Sequence, residues 1–331
     1  MAGAAMLEVR RAVERALADI EPGQRVLVAC SGGPDSLVLA AATAWVCSRA
    51  SVAAGAVIVD HGLQQGSAEI AQRAAGQCRV LGLDPVVVRR VEVGGDGGPE
   101  MAARIARYTA LDDAALELGA VAILLGHTLD DQAETMLLGL ARGSGARSLA
   151  GMAEQDGPLR RPLLGLPRAT VHEAAAELAG EIGEAWVDPH NADPRYARVR
   201  ARAMLNALTE ALGPGIVPNL ARTAGLLRDD AEVIDGLVDM QVRMLVTADA
   251  DGLHAEIQDL EEMQRALRTR LIRRMCISAG APADDLSMEH VLAVDRLITD
   301  WHGQGATHLP GGVRAEREYA RLTLRSRDHT A

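Results

Sequence analysis

The stretch Arg25-Val-Leu-Val-Ala-Cys30-Ser31-Gly32-Gly33-Pro34-Asp35-Ser36 decides the fold, because a short apolar run gives way at once to a glycine loop. Residues 25–30 are rich in β-branched side chains, which predicts a buried strand. Helical periodicity follows from Leu37 to Val46. The two glycines let the backbone come close to an anion, and a helix N-terminus offers it unpaired N–H groups. The segment therefore predicts a phosphate-binding loop between a strand and a helix.

Asp35 adds a requirement to this loop. Its carboxylate would repel bare phosphate unless a divalent cation lay between them, so the loop implies Mg²⁺ with Asp35 as its ligand. The simpler alternative is an ordinary turn in which a Ser or Asp caps the helix. We favour the phosphate loop because all six positions fit it, and we assign phosphate contacts to Ser31, Gly32, Gly33, Pro34, Asp35 and Ser36.

Outward from this loop, apolar strands alternate with amphipathic helices. The pattern predicts further strands at 53–59, 85–91 and 120–125, and helices at 6–19, 67–81, 100–118 and 132–140. Near-continuous apolar strands suit a parallel sheet that is covered on both faces. We therefore predict an α/β fold with a doubly wound parallel sheet, whose ligands gather at the carboxyl ends of the strands.

The pattern changes after about residue 180. A loop rich in Pro and Asp at 186–195 leads into helices at 196–211, 217–247, 258–279 and 287–299, and residues 311–325 alternate as a short hairpin would. We predict a catalytic domain at 1–200 and a smaller, mainly helical domain at 201–331.

A second motif follows the strand at 120–125 and reads Gly126-His127-Thr128-Leu129-Asp130-Asp131-Gln132-Ala133-Glu134-Thr135. Asp131 and Glu134 are three residues apart at a helix start, so they share a face and can bind an ammonium group or a metal. His127 lies at the strand end, where negative charge on phosphate must be stabilised. An alternative is plain helix capping, with Asp130 as the N-cap and first-turn acids facing the helix dipole, which needs neither His127 nor Thr135.

Two further pairs of polar residues are candidates for contact with a ligand. Asp60 and His61 follow the strand at 53–59 and suit contacts to ribose, phosphate or metal, although alone they would be a turn. Arg104 and Arg107 share a helix face and suit contacts to the nucleotide or to RNA. The alternative for this second pair is a solvated surface on which Arg104 pairs with Glu100.

Composition excludes several mechanisms. The 331 residues contain no lysine, so all 34 basic residues are arginines. A P-loop NTPase and Schiff-base chemistry both need a lysine of the protein, and both are excluded. The net charge of −11 counts against a nucleic-acid binder. Residues 195–228, however, hold six arginines against one acid, Glu210, and this local charge favours phosphate contacts.

The remaining composition points to the cytoplasm. Four cysteines are scattered without a CxxC pair, which is typical of reduced thiols rather than of disulfides or a zinc site. The N-terminal segment is amphipathic and carries acids, unlike a signal peptide. Apolar runs are short, so we expect no membrane span.

These motifs resemble known families. The SGGPDS loop resembles that of the PP-loop ATP pyrophosphatases, whose fold is adenine nucleotide alpha hydrolase-like. Residues 126–135, the RGSG stretch from Arg142, the ExxARxxRY pattern at 100–108 and residues 188–202 are similar to the tRNA(Ile)-lysidine synthetases. Within 188–202 this chain departs from the family pattern at His190 and Val199.

The resemblance implies a ligase that uses ATP and Mg²⁺. It would adenylate the wobble cytidine of tRNA(Ile) with a CAU anticodon, and the ε-amine of free L-lysine, held by Asp131 and Glu134, would then displace AMP. Catalytic roles fall to Asp35, His127, Asp131 and Glu134. The nucleotide would also contact Asp60, His61, Arg104 and Arg107, and tRNA phosphates would contact Arg142, Arg195, Arg198 and Arg202. A homodimer is compatible with this interpretation, and the oligomeric state stays open.

Three alternatives remain at this point. A PP-loop tRNA thiolase would need paired cysteines, which the spacing does not provide. An amidotransferase-type synthetase would need an ammonia source. A non-catalytic protein that binds adenine nucleotides would not need the carboxylates of the second motif.

Overall fold

The computed structural model describes residues 3–62, 64, 66–92, 94, 99–143 and 145–326. The chain divides into two compact units, Met1–Gly225 and Leu226–Ala331. The domain boundary expected after residue 200 falls inside a helix, Ala197–Leu212, of the first unit. The limits of the functional domains stay a prediction.

The first unit alternates strands and helices as the sequence predicts. Its strands are β1 (Arg25–Ala29), β2 (Ala53–Asp60), β3 (Val86–Arg90), β4 (Ala120–Leu124), β5 (Gln155–Asp156) and β6 (Leu159–Arg160). Its helices are α1 (Ala4–Ala16), α2 (Pro34–Ala50), α3 (Ser67–Val80), α4 (Pro99–Leu118), α5 (Leu129–Arg142), α6 (Gly145–Leu149), α7 (Arg168–Ile182), α8 (Ala197–Leu212) and the start of α9 (Ile216–Leu245).

The strands form one sheet in the order β3-β2-β1-β4-β6-β5. All neighbours pair in parallel except β5 with β6, which are antiparallel. Chain order runs outward from β1 in both directions, so the sheet is doubly wound and the order reverses between β1 and β4. The predicted fold class is confirmed. In such sheets ligands bind at the reversal point, beyond the carboxyl ends of the strands.

Both faces of the sheet are covered, because side chains along a strand point alternately to opposite faces. On β1, Val26 and Val28 pack with α1, α2, α3 and α7, whereas Leu27 packs with α4. All three valine and leucine side chains are fully buried. This two-sided core explains the continuous apolar strands and fixes the strand ends that carry the site.

The second unit combines helices with an antiparallel sheet. Its helices are α10 (Ile257–Glu262), α11 (Arg265–Ser278) and α12 (Met288–Thr299). Its strands are β7 (Thr247–Asp249), β8 (Gly252–Glu256), β9 (Thr307–His308), β10 (Arg314–Glu318) and β11 (Arg321–Arg325), in the order β7-β8-β11-β10-β9. The predicted hairpin is the β10–β11 pair. Within the described ranges, no helix is long and apolar enough to cross a membrane.

Candidate active site

The SGGPDS loop joins β1 to α2 and is braced by Ser36. The Ser36 hydroxyl donates to the Gly33 carbonyl at 3.0 Å and accepts from the Ser31 N–H at 3.1 Å. Gly33 is the N-cap of α2 and makes no side-chain capping hydrogen bond, and Pro34 begins the helix. The first N–H groups of α2 are therefore available to an anion, as the sequence predicts.

Close backbone approach requires glycine at two points of this edge. Gly32 has φ +80°, and a Cβ there would lie 3.1 Å from the Cβ of Ala74 in α3. A Cβ on Gly126, beyond β4, would lie 3.2 Å from the carbonyl of Asp35. The ends of β1 and β4 thus meet at the loop, which brings the two predicted motifs together.

Asp35 lies in the first turn of α2, where burial disfavours its charge although His172, Arg168 and Arg202 favour it. Its Oδ1 is buried without a hydrogen bond from a described residue, although His172 Nε2 of α7 lies 3.3 Å away. Burial raises the pKa of Asp35, and the nearby Asp131 raises it further, while His172 opposes both. A carboxylate oxygen in this position fits a cation shared with phosphate oxygens. Among the described residues no group of three or more metal ligands exists, so phosphate or water would complete the shell.

The acids of the second motif begin α5, and Asp131 caps it. Its Oδ2 accepts from the Thr128 N–H at 2.7 Å and from the Thr128 hydroxyl at 2.9 Å, which forms a capping box. Burial acts to raise the pKa of Asp131, but Arg168 and the Thr128 N–H outweigh burial and lower it. Asp131 is therefore ionised. Capping by a first-turn acid does occur, but the N-cap is Thr128 and not Asp130, which accepts from the Arg168 N–H instead.

An arginine of α7, Arg168, ties the acids of α5 together. Its guanidinium donates to Asp131 Oδ1 at 2.8 Å and to Glu134 Oε1 at 3.1 Å. Its backbone N–H donates to Asp130 Oδ2 at 2.8 Å. Burial disfavours the charged form of Arg168, but the acids raise its pKa above the ordinary value. The carboxylate pair thus already holds one cation of the protein.

Glu134 keeps one free oxygen. It is 1% exposed, and its Oε1 also accepts from Arg202 Nε of α8 at 2.9 Å. Its Oε2 is buried without a partner among the described residues. Arg202, expected to contact tRNA phosphate, therefore lies beside the acids. Glu134 Oε2 is therefore an acceptor that the described residues leave unpaired, and it is closed to solvent.

His127 lies among arginines. Burial and, after it, the charge of Arg107 lower the pKa of His127 to about 3, although Asp131 opposes them. Arg161 and Arg198 are also close enough to disfavour its charged form. The imidazole is thus neutral at pH 7, and its buried Nδ1 has no partner among the described residues. A neutral imidazole can still donate a hydrogen bond to developing negative charge.

Asp60 is engaged in its own turn. Its Oδ1 accepts from the Gly62 N–H at 3.0 Å. Burial acts to raise its pKa, but this bond, Ser67 and Arg90 lower it. Burial lowers the pKa of His61, Arg107 adds to this effect, and its Nδ1 is buried without a partner among the described residues. His61 is therefore the member of this pair with a free polar atom.

The other predicted arginines differ in their surroundings. The guanidinium of Arg104 lies 4.9 Å from the Tyr108 ring centroid and affects Arg107 electrostatically. Arg142 Nε donates to the Leu138 carbonyl on its own exposed helix face. Arg195, 83% exposed, pairs with Asp193 at 2.6 Å. The structure thus places Arg104 near the site residues and gives Arg142 and Arg195 local partners.

Three site residues escaped the sequence analysis: Arg161, Arg168 and His172. Arg161 precedes a short 3-10 turn, and the other two lie one turn apart at the start of α7. The signal that could have found them is the segment Arg160-Arg-Pro-Leu-Leu-Gly-Leu-Pro-Arg168, in which three cations flank an apolar run.

The sheet is doubly wound, and its first strand ends in a glycine loop that Ser36 braces. The acids that follow the neighbouring strand β4 face this loop. Together these features define a PP-loop protein. A family model described as the PP-loop domain matches residues 6–208. A second model, the TilS substrate binding domain, matches residues 256–323.

Comparison with curated relatives identifies the family within the PP-loop class. The chain is 55% identical to a tRNA(Ile)-lysidine synthase of Thermobifida fusca over 96% of both chains. It is 53% identical to one of Leifsonia xyli over 92% of this chain and 91% of the relative. It is 51% identical to one of Streptomyces coelicolor over 96% and 89%. The chain belongs to the tRNA(Ile)-lysidine synthase family.

A solved structure supports the fold alone. The U34-tRNA thiolase NcsA of Methanococcus maripaludis, determined with its [4Fe-4S] cluster, superposes with a TM-score of 0.55 at 20% identity. The match covers 68% of this chain and 80% of the thiolase.

Proposed function

We propose that this protein uses ATP to join free lysine to carbon 2 of the wobble cytidine in tRNA(Ile) with a CAU anticodon. The products are lysidine in the tRNA, AMP and pyrophosphate. The observation that carries the proposal is the 55% identity to a tRNA(Ile)-lysidine synthase over 96% of both chains. The four cysteines are buried free thiols, which fits a cytoplasmic enzyme.

In the first step, the oxygen on carbon 2 of the cytidine attacks the α-phosphorus and pyrophosphate leaves. The braced loop at Ser31–Ser36 would hold the phosphates with backbone N–H groups. His127, neutral and flanked by Arg107 and Arg161, would donate to the oxygen on which charge develops. This step turns a poor leaving group on carbon 2 into AMP.

Asp35 is the residue that would hold Mg²⁺, because its buried Oδ1 lacks a hydrogen bond from the described residues. The ion would neutralise phosphate charge.

In the second step, the unprotonated ε-amine of lysine attacks carbon 2 and the carbon–oxygen bond to AMP breaks. The attacking nitrogen then gives up one proton, which a nearby carboxylate or water would accept. Asp131 and Glu134 would hold the amino acid. What this chain supplies is position and electrostatic stabilisation rather than a covalent nucleophile.

The test is to incubate the protein with ATP, Mg²⁺, labelled lysine and tRNA(Ile) bearing the CAU anticodon. Label should enter this tRNA, with one AMP and one pyrophosphate released per lysine. The matched control is tRNA(Met), which has the same anticodon and should stay unlabelled. Labelling of both tRNAs, or of neither, would contradict the proposal.

A further inference from the structure

Helix α9 carries more apolar surface than its own unit covers. Its inner face lies in the core of the second unit, where Val238 is fully buried and Ile234 and Val242 pack beside it. Ion pairs from α9 to α11 hold this face in place, among them Asp239 with Arg274 at 3.2 Å. A helix that is apolar beyond its packed face has surface left for a second contact.

The uncovered apolar residues of α9 form a continuous stripe. They are 43–71% exposed, and they are Leu226, Val233, Leu237, Met240 and Met244. Their spacings of 7, 4, 3 and 4 residues place them on the a and d positions of successive heptads. Side chains at these positions form the surface along which two helices pack in a coiled coil, so the stripe suits a partner helix.

The charges beside the stripe exclude a nucleic acid or an anionic membrane as its occupant. Asp229, Asp230, Glu232 and Asp239 are all exposed. Between residues 226 and 245, all of which the structure describes, the only exposed cation is Arg243. Phosphate groups would therefore meet like charge along this face.

The stripe is complementary to itself when a second copy of the helix runs antiparallel. In an antiparallel pair the a residues of one helix pack against the d residues of the other. Leu226 then lies opposite Met244 of the second copy, and Val233 lies opposite Leu237 of the second copy. A parallel pair would instead place Asp230 against Asp230 of the second copy, which is unfavourable.

The same antiparallel register matches the charges. It sets Asp229 beside Arg243 of the second copy, and the twofold symmetry makes this ion pair twice. It also brings the two Gly236 residues together near the twofold axis. Glycine weakens a helix relative to alanine, and a Cβ on Gly236 would meet no atom of its own chain within 4 Å. Close approach of two backbones gives this glycine a steric reason that its own chain does not supply.

We propose that residues 226–244 of α9 are an interface for a second copy of this chain, joined as an antiparallel helix pair along the exposed stripe. The contact is about 27 Å long, at 1.5 Å per residue. A single helix pair of this length buries less area than a tight dimer does, so dimerisation is reversible and micromolar.

Sedimentation equilibrium of the full-length protein tests the interface. The mass should rise reversibly from one chain toward two between about 1 and 200 μM. Leu237→Lys should raise the Kd of the dimer at least about tenfold, because it places a charge in the centre of the contact. A protein that is monomeric throughout, or a Kd unchanged by Leu237→Lys, would overturn the proposal.

Leu116→Lys is the matched control. Leu116 is an 86% exposed leucine of α4, in the first unit, so the same change is made outside the stripe. The Kd of this variant should stay within about twofold of wild type. An equal rise in Kd for both leucine variants would contradict the placement of the interface on α9.

Charge reversal tests the register. Arg243→Asp and Asp229→Arg should each raise the Kd about tenfold, because like charges replace two ion pairs per dimer. The double variant restores opposite charges and should recover most of the loss. A double variant that dimerises no better than the single variants would overturn the register.

Cross-linking tests the direction of the helices. Leu226→Cys and Met244→Cys are mixed with oxidised glutathione, which is reduced as the two introduced thiols form a disulfide. The four native cysteines are buried and give little background. The mixture should cross-link, whereas Leu226→Cys alone should not, because its two thiols lie about 27 Å apart in an antiparallel pair. Equal cross-linking of Leu226→Cys alone would indicate a parallel pair and contradict the proposal.

Discussion

At the scale of single residues, Asp131 serves as both a helix cap and a partner of Arg168. Asp131→Asn would remove the charge that orients Arg168 while leaving the loop at Ser31–Ser36 intact. We expect kcat/KM for lysine to fall roughly 10–100-fold, and tRNA adenylation to fall much less. Single-turnover assays of adenylation and of lysine transfer measure the two steps separately.

Asp130→Asn is the control for this variant. It removes the same charge from the same turn of α5, but an asparagine oxygen can still accept from the Arg168 N–H. Its effect on lysine use should be clearly smaller. Equal loss of adenylation and lysine transfer in Asp131→Asn would argue against a role in amino-acid binding.

His127 makes stability depend on pH. Its pKa falls from an ordinary 6.5 to about 3 in the folded state because of burial and neighbouring arginines. Below pH 6.5 the unfolded chain therefore binds a proton that the folded chain does not bind until about pH 3, so acid destabilises the protein. Titration of His127 should lower the free energy of unfolding by about 2 kcal/mol at pH 5 relative to pH 8.

The measurement is denaturant unfolding of wild type and His127→Asn across that range. The variant has no imidazole to titrate, so the difference between the two free energies of unfolding should change by about 2 kcal/mol between pH 8 and pH 5. Parallel curves would show that His127 is not held neutral.

One physical reason explains why several site residues could be predicted from the sequence. Asp35, His127 and Asp131 follow strands that become neighbours in a parallel sheet, so chain position alone predicts that they meet. Their partner Arg168 is 37 residues from Asp131 and contacts it only through tertiary packing. No local spacing rule connects two such residues.

At the scale of elements, the loop after β1 depends on the backbone of Gly32. Gly32→Ala places a side chain at φ +80°, which costs roughly 1–2 kcal/mol, and sets its Cβ 3.1 Å from that of Ala74. We expect lower stability and an ATP affinity reduced by about tenfold or more, because the loop must shift. Equilibrium ATP binding and unfolding measure the two effects.

Gly23→Ala isolates the backbone cost. Gly23 has φ +84°, and a Cβ there meets no atom within 4 Å. The Gly23→Ala variant should be less stable than the wild type but bind ATP with unchanged affinity. Ala74→Gly in the Gly32→Ala background should restore part of the affinity by removing the contact. A Gly32→Ala protein that binds ATP normally would show that the loop does not hold the nucleotide.

Helix α7 shows where element prediction reached its limit. Only Val171 and Ala174 of its 15 residues are buried, and the segment is rich in alanine, so its apolar stripe is too narrow to stand out. Its position is set by contacts with α1 and α2 and by the bond from Arg168 N–H to Asp130. The wider apolar faces of α1 and α5 allowed those helices to be predicted from the sequence.

At the scale of the whole molecule, the second unit shows the same limit on predicting elements from sequence. The sequence indicated its helices and the last hairpin, but β7, β8 and β9 have three, five and two residues. The two shortest of these strands, β7 and β9, carry too few alternating positions to give a signal. The strands of this unit form a sheet because β11 pairs with β8 across a sequence gap of more than 60 residues, and only the folded chain reveals that pairing.

The distribution of charge governs how a chain of net charge −11 binds an anionic tRNA. Arg198 lies among Arg107 and Arg161 and has no acid partner among the described residues, whereas the more exposed Arg195 is held by Asp193. Replacing either arginine with alanine removes one positive charge, so the two variants form a matched pair. They differ in whether the lost guanidinium was free to contact phosphate.

We therefore expect Arg198→Ala to weaken tRNA binding and to reduce the slope of log K against log salt concentration by about 1. Arg195→Ala should change this slope less, because binding of a phosphate there must first compete with Asp193. Filter binding of tRNA(Ile) at several salt concentrations measures both slopes. Equal slopes for the two variants would mean that Arg198 makes no phosphate contact that Arg195 lacks, and would contradict this prediction.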